Sequence, residues 1–550
     1  MDTISSRPDP QAIRPEELAT AQVIADPYPY YAALRERSPV FGYADWPPGT
    51  VPGQDPPVRA WAFLKYEDVA AAARDHVTFS SASFQQATTA PTLMLVNQDE
   101  PEHARVRKLV SRAFTPRRVR ELRPAVMALM HELLSALPDG EFDAVEAIAS
   151  ELPTRVMLHL LGLPPDLCVD FKRWSNAFML SADLEPEARN QSNREMVEYF
   201  QAMVAKRAAE LARGDAARPD LVDALLTAEL DGERLSQAEV WRFCFTLVVE
   251  GSETTTYFAA NVIDALLQRP ELFEKLRADR ALIPRLLEEV LRLSGPAQRL
   301  FRVATRDVRV GEADIRKGDW VALFFAAANH DPREFAEPTE LRLERPNAAR
   351  HLTWGIGVHY CLGAPLATLE VECLVEALLD HFTSIEPGVA KRIPQTATLL
   401  QHSCVRLPVR AQRKERTLEE RNLEAVRTVF ERFGAGDVPG ILEGLEPDVT
   451  IEFYGPSVIP YAGTYQGREE ARGFFETVLR SVEIHVFEPQ EMIARGDKVV
   501  VTGHLRLTAK STGGVIESDF VHVITLRNGR WARFRDFMNT AVAVEAFTPA

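Results

Sequence analysis

The sequence predicts a large, mainly α-helical domain followed by a smaller α+β cone, and three observations lead there. From about residue 20 to 410, apolar positions recur at helical spacing, broken by Pro and Gly, with only a few short strand-like pieces. A charged run, QRKERTLEERN from Gln412 to Asn422, then interrupts the pattern. Beyond it, helix-like segments give way to long alternating stretches, the mark of half-buried strands.

With 550 residues the chain exceeds one usual domain and can bury a sizeable core. Its 46% hydrophobic and 26% charged content is that of an ordinary globular protein. A formal net charge of −16 argues against general binding to nucleic acid or to an anionic membrane. Five cysteines without CxxC spacing suggest a reducing compartment and no disulfide framework. The opening MDTISSRPDPQAIRPEE lacks the apolar core of a signal peptide, and no run of about 20 apolar residues reads as a membrane span. A cytoplasmic protein is expected.

Taken in chain order, five stretches carry chemistry. In DEPEHARVRKLV, His103 and Arg107 lie four apart on an expected helix and share a face. VVEGSETTT, Val248 to Thr256, sits in an apolar stretch that begins at Trp241. There Glu253 and Thr254 pair an acid able to relay protons with an alcohol able to hold water, and Gly251 leaves room beside them. Glu250, in the same segment, is a carboxylate that would be costly to bury unpaired. Glu289 and Arg292 in LLEEVLR stand one turn apart, and Arg302 lies in the strand-like LFRVATRD. The richest stretch is HLTWGIGVHYCLGAPLATLE, His351 to Glu370. Gly355, Gly357 and Gly363 allow a tight loop that can approach a flat macrocycle closely. The periodic run Leu366 to Leu379 is an expected helix, and a thiolate at Cys361 gains from free N–H groups at its start. The stretch reads as a loop holding a thiolate against a haem.

Together these motifs resemble the cytochrome P450 family, of the soluble bacterial type, over residues 20–411. The resemblance implies the mainly α P450 fold and haem b (iron protoporphyrin IX) with Cys361 as the iron ligand. It implies propionate contacts from His103, Arg107, Arg302 and His359, and a place in the cofactor loop for Gly363. Trp354 stands where Phe is usual, packing under the thiolate or donating its indole N–H toward sulfur. Glu289, Arg292 and Arg345 are implied as scaffold. Glu253, Thr254 and Gly251 fall on the distal helix, where the acid–alcohol pair interrupts regular bonding and delivers protons for O–O cleavage of O2. Glu250 stands where most bacterial relatives have Ala or Gly. One branch of the family ester-links a Glu at this place to a haem methyl; the other reading is a carboxylate that pairs with an arginine or a basic substrate.

Family positions lining the pocket are occupied by Phe84, Leu93, Met94, Phe178, Met179, Ala297, Leu300, Leu399 and Leu400. They are largely apolar, so a hydrophobic small molecule is the expected substrate. No flavin-binding reductase follows the P450 half, which implies a ferredoxin-type redox partner with its reductase. Arg105, Lys108, Arg112, Arg117 and Arg118 are the expected basic docking patch. The rival class is a haem-based binding protein without oxygen activation, against which Glu253–Thr254 argues.

The last 130 or so residues predict helices over Leu418–Phe433, Val438–Leu445 and Arg468–Leu479. Strands are expected at Val449–Tyr454, Val482–Phe487, Lys498–Ala509, Val515–Leu526 and Trp531–Phe537. Three helices on a curled antiparallel sheet make the cone. The segments FGAGDVPGILEGLEPDVTIEF, PYAGTYQGREEARGFFE and FRDFMNTAV resemble the SnoaL-like group of the NTF2-like superfamily, over about 420–547. Such domains share shape more than chemistry, so binding, homodimerisation, and cyclisation or hydrolysis of the oxidised product all stay open. The isomerase base and phenol would fall near Phe453 and Val429, so that site is absent. The cyclase acid maps near Asp536, with Arg506, His504, His522 and Tyr465 as companions; the plainer reading makes Asp536 a salt-bridge partner of Arg533 or Arg535. The expected organisation is an extension (1–19), the P450 domain (20–411), a linker (412–421) and the cone (422–550).

Overall fold

The computed structural model describes residues 9–43, 60–82, 92–138, 140–178, 185–230, 232–415 and 417–549. Phe84, Met179 and the first eight residues of the expected extension lie outside them. The chain divides into two compact units, Met1–Lys414 and Glu415–Ala550. Among the described residues no helix is long and apolar enough to cross a membrane, and Cys168, Cys244, Cys361, Cys373 and Cys404 are free thiols.

The helices of the first unit that frame the site are α1 (Glu102–Ala113), α2 (Glu151–Leu161), α3 (Gln237–Gln268), α4 (Ile283–Ser294) and α5 (Ala364–His381). α3 starts at a capping box in which Ser236 and Glu239 satisfy each other's backbone N–H groups. Its apolar residues run all round the helix, so it is buried along most of its length, with α2 and α5 packed on it. A five-stranded sheet flanks the helices, in the order β1 (Val40–Tyr43), β2 (Ala60–Phe63), β5 (Trp320–Leu323), β4 (Leu300–Ala304), β3 (Phe79–Ser80). Only β2 and β5 run parallel, and β4 carries Arg302.

On α4, Glu289 and Arg292 are fully buried and joined at 2.8 and 3.1 Å. Arg345 approaches the same carboxylate at 2.9 Å, and the Arg342 amide donates to it at 2.9 Å. Arg292 also donates to the carbonyls of Asn329, Pro338 and Glu340, and Arg345 to those of Ala336, Glu337 and Glu340. A charge cluster this deep holds because most of its hydrogen-bonding capacity is met by surrounding carbonyls and amides. Its arginines hold the Glu289 carboxyl below the usual range against the opposing effect of burial.

The end of the helical domain, LQHSCVRLPVRA from Gln401 to Ala411, reads in sequence as a final strand pair, but its two strands belong to different sheets. Cys404–Arg406 pairs with Ile393–Pro394, whereas Pro408–Arg413 lies between Phe382–Pro387 and Gly140–Asp143. The charged run Gln412–Asn422, read as a linker over 412–421 or as the opening of a helix, does both: the strand continues to Arg413, and the helix starts at the expected Leu418 behind a Thr417–Glu420 capping box.

The second unit has helices α6 (Leu418–Gly434), α7 (Val438–Glu443), α8 (Gly467–Ser481) and α9 (Thr540–Phe547). Its strands are β6 (Leu445–Phe453), β7 (Gly463–Gln466), β8 (Val482–Arg495), β9 (Lys498–Ala509), β10 (Val515–Arg527) and β11 (Arg530–Met538), in the sheet order β7–β6–β11–β10–β9–β8. The sheet is not wholly antiparallel, as expected from the pattern, because β6 and β11 run parallel. Irregularities in β8 at Ile484/Val486 and Pro489/Glu491 bend the long strand, consistent with a curled sheet. β7 and α9 are additions to the expected elements. The core lies between the inner sheet face and the helices, with Val429, Phe474, Leu505, Phe520 and Trp531 at its centre.

Candidate active sites

Although α3 is buried on most sides, Leu247, Glu250, Gly251 and Thr254 stay partly accessible. Their spacing of i, i+3, i+4 and i+7 is one helical face, and it borders open space inside the unit. Trp354–Gly357 and Cys361–Gly363 are not fully buried either, and the Glu250 carboxylate raises the Cys361 thiol through space. The helix does not break at the acid–alcohol pair: it is continuous from Gln237 to Gln268. The Thr254 hydroxyl donates to the Glu250 carbonyl one turn back, at 2.5 Å. Glu253, next in sequence but about 100° round the helix, is buried and accepts from the Tyr257 hydroxyl at 3.2 Å. Gly251 was expected to leave room for oxygen. A Cβ there would instead meet the Cε of Met157 on α2 at 2.7 Å, so the glycine admits α2 to close packing.

The loop before α5 turns at Gly355 and Gly357, whose φ values of 69° and 76° favour glycine. Gly363 differs: its φ is −79°, and a Cβ would sit 3.9 Å from the Cys361 sulfur. The Cys361 amide donates to the Trp354 carbonyl at 2.8 Å. Burial raises the thiol, while the amides of Gly363 and Ala364, aimed at sulfur from the start of α5, oppose that rise. The Trp354 indole packs edge-on to Phe258, with centroids 6.0 Å apart. Among the described residues, no hydrogen bond joins that indole to the sulfur.

Beside this loop, basic groups outnumber their anionic partners. The rings of His103 and His359 lie 4.5 Å apart. His103 is buried with neither ring nitrogen hydrogen-bonded, and Glu100 is 3.5 Å from its Nδ1. His359 Nε2 is 3.1 Å from Ser81 Oγ. Burial first, then Arg302, His103, His76 and Arg107, push the His359 imidazole down to about 3. Arg302 is buried, donates to the carbonyl of Phe301 on its own strand, and is pushed down to about 10 by burial, with Asp99 opposing. Arg107 is likewise lowered by burial and is raised by Cys361. The sequence did not point to Ser81 or Asp99. Asp99 accepts from the Ser81 amide at 2.9 Å and from the Ser80 hydroxyl at 2.5 Å, fixing the serine that meets His359.

Of the expected pocket residues, Leu93, Met94 and Leu399 are buried, Phe178, Ala297 and Leu400 are partly so, and Leu300 is 38% exposed. Two of the five residues of the expected docking patch, Arg105 and Arg117, are paired with acids, and the others keep their charge uncompensated by any ion pair among the described residues. Arg105 pairs with Glu102 and Glu239, Arg117 with Glu121, and Arg112 and Arg118 donate to the carbonyls of Glu229 and Ala113.

In the second unit, a cavity of about 70 Å³ is lined by aromatic side chains, including Phe430, Phe433, Tyr461, Phe475 and Phe487, with His522 and Asp536 as its polar members. His522 and Asp536 face each other across β10 and β11, and Nε2 lies 3.2 Å from Oδ2. His522 is buried and Asp536 partly so, and the imidazole stacks on Phe520 with centroids 4.2 Å apart. The salt bridges expected for Asp536 do not form, because strand alternation turns Arg533 and Arg535 to the opposite face. Arg533 pairs with Glu452, and Arg535 lies over Phe537. Of the expected companions, only His522 lines the cavity. His504 and Arg506 pair with Asp519 and Glu517 instead, and Tyr465 packs on Phe474. Tyr461, absent from the sequence reading, lines the cavity, and its phenol is raised by burial and by Asp536.

Residues 169–409 match the family model for cytochrome P450, and residues 426–534 match that of the SnoaL-like domain. The putative cytochrome P450 YjiB of Bacillus subtilis is 33% identical over 370 residues, covering 66% of this chain and 88% of its own. Cyclomarin C epoxidase CymV of Salinispora arenicola is 37% identical over 344 residues, covering 60% and 85%. The solved structure of cytochrome P450 CYP109Q5 from Chondromyces apiculatus superposes with a TM-score of 0.63 at 32% identity, covering 72% of this chain and 98% of that one.

Proposed function

The chain belongs to the cytochrome P450 family and is a haem-dependent monooxygenase; on that premise we propose that it inserts one oxygen atom of O2 into a hydrophobic small molecule, using electrons from a ferredoxin-type partner and its reductase. The observation that carries the reading is Cys361, with two amides aimed at its sulfur, facing the partly accessible stripe of α3. Haem b fits the residues present. A buried thiol would ligate iron, and an anion-poor cluster of His103, Arg107, Arg302 and His359 would receive two propionates. When bound, haem supplies the activation of O2, favoured by electron donation from the thiolate.

The side chains of α3 handle the protons. Thr254 gives its own proton to the Glu250 carbonyl and so offers oxygen lone pairs to a water in the open space. Glu253 is held away from that face by Tyr257; to relay a proton it turns toward Thr254, releasing the phenol. Thr254→Ala should keep haem and substrate binding while diverting most of the electrons to peroxide, a loss of coupling of about tenfold or more. Peroxide yield measured against oxygen consumed checks this, and unchanged coupling would leave water or substrate as the proton source.

A second activity in the C-terminal unit is favoured by the Asp536–His522 pair in an aromatic cavity. CymV is named an epoxidase; if the P450 unit here likewise makes an epoxide, this pair can open it. Asp536 would take a proton from water as the water oxygen bonds to an epoxide carbon. The C–O bond breaks, and the alkoxide takes a proton from protonated His522. Fusion in one chain keeps such a product near the second pocket at high effective concentration. Removing everything after Lys414 should leave the haem spectrum unchanged and release the unopened product, and Asp536→Asn in the full chain should release the same compound. Identical products from all three proteins, with only the oligomer size altered by truncation, would reduce the unit to an assembly role.

A further inference from the structure

We propose that Glu250 anchors a cationic nitrogen of the substrate, which makes hydrophobic amines the substrate class of this enzyme. The inference rests on the monooxygenase reading above and deepens it. Three observations carry it. First, Glu250 lies on the accessible stripe of α3, one turn before Thr254, in the space that also faces Cys361. Second, among the described residues it has no ion pair: burial is the one influence on its carboxyl, with no arginine, lysine or histidine near enough to offset it. The basic residues beside the cofactor loop, His103, Arg107, Arg302 and His359, exert no influence on its carboxyl, and Arg242, two turns before Glu250, is held by Thr92. Segments 83–91 and 179–184, which carry the expected pocket residues Phe84 and Met179, contain no Lys, Arg or His.

Third, the surroundings are apolar. Leu247 shares the stripe, and the buried Leu93–Leu95 segment is tied to it where the Met94 amide donates to Thr246, one turn before Glu250, at 2.9 Å. A carboxylate in such a wall discriminates among ligands by what each does to its charge. A neutral ligand strips its water and leaves it unpaired, an acid repels it, and a cation satisfies it. Burial alone raises this carboxyl to about 7, and a bound cation would draw it back to the charged form. An amine held here places neighbouring C–H bonds one helical turn from the alcohol that manages the protons, so one residue sets both affinity and the position of attack.

The test uses the haem-loaded full chain and three probes of equal chain length: decyltrimethylammonium, which cannot ligate iron through nitrogen, decanol and decanoate. Equilibrium dialysis and the Soret shift read binding together, and the thiolate-type carbon monoxide spectrum reports separately on the P450 reading. The native protein should prefer the cation over the alcohol by about tenfold or more, with decanoate weakest. Glu250→Gln should reduce that preference to within roughly threefold, and Glu250→Asp should retain most of it. An absent preference in the native protein, or one that survives Glu250→Gln, overturns the proposal. So does haem that stays attached to native protein but not to Glu250→Gln after turnover and acid denaturation, because the carboxylate would then be an ester.

Discussion

Cys361→Ala should give a folded protein that loses monooxygenation altogether and no longer shows, on reduction under carbon monoxide, the red-shifted Soret band of thiolate-bound haem. The Gly363 and Ala364 amides at the start of α5 point at the sulfur, while the Cys361 amide donates to the Trp354 carbonyl. Removing the sulfur keeps the Trp354 contact but takes away the acceptor of the other two amides and the soft anionic ligand. The backbone of the loop is set by Gly355 and Gly357 rather than by the thiol, so the fold should persist. Retention of the band would mean that another group ligates the iron and that the assignment is wrong. Circular dichroism beside the optical spectrum separates ligand loss from unfolding.

The largest stability effect is expected at Glu289, whose role is structural. Glu289→Ala would leave Arg292 and Arg345 buried with their carboxylate gone and would free the Arg342 amide. Breaking a buried pair of this kind costs about 3–5 kcal/mol, a large share of the roughly 5–15 kcal/mol that holds a domain. The midpoint of urea unfolding of the first unit should fall accordingly, and the second unit should unfold as before. Loss confined to a few tenths of a kcal/mol would show that water enters and solvates the arginines.

What the sequence made legible follows from where the determining forces act. β9 has the expected bounds, Lys498–Ala509, because alternation along one strand is a local signal. β7 was invisible because four residues beginning with glycine carry too short a pattern. The Cys361 loop could be read because its glycines, cysteine and following helix are contiguous. The contact between His359 and Ser81 could not, since 278 residues separate them and only the packing of the loop brings them together. Asp536 illustrates the same limit. Its neighbours in sequence are arginines, so local reasoning pairs it with them, but cross-strand register hands it to His522. Gly251 was read as a place needing space, and the Met157 methyl that approaches it from α2 was not legible, because that neighbour lies far away in sequence.

The contact at Gly251 has a mechanical meaning. The terminal methyl of Met157 sits in the notch left by the missing side chain and joins α2 to α3 there. A slip of one residue would move α3 by about 1.5 Å along its axis and turn it by about 100°. In one direction that turn would put Glu253 where Thr254 stands and Val249 where Glu250 stands. The notch therefore acts as an index mark: it favours one register for a long, evenly apolar helix, a choice that the helix's own hydrophobicity is too uniform to make.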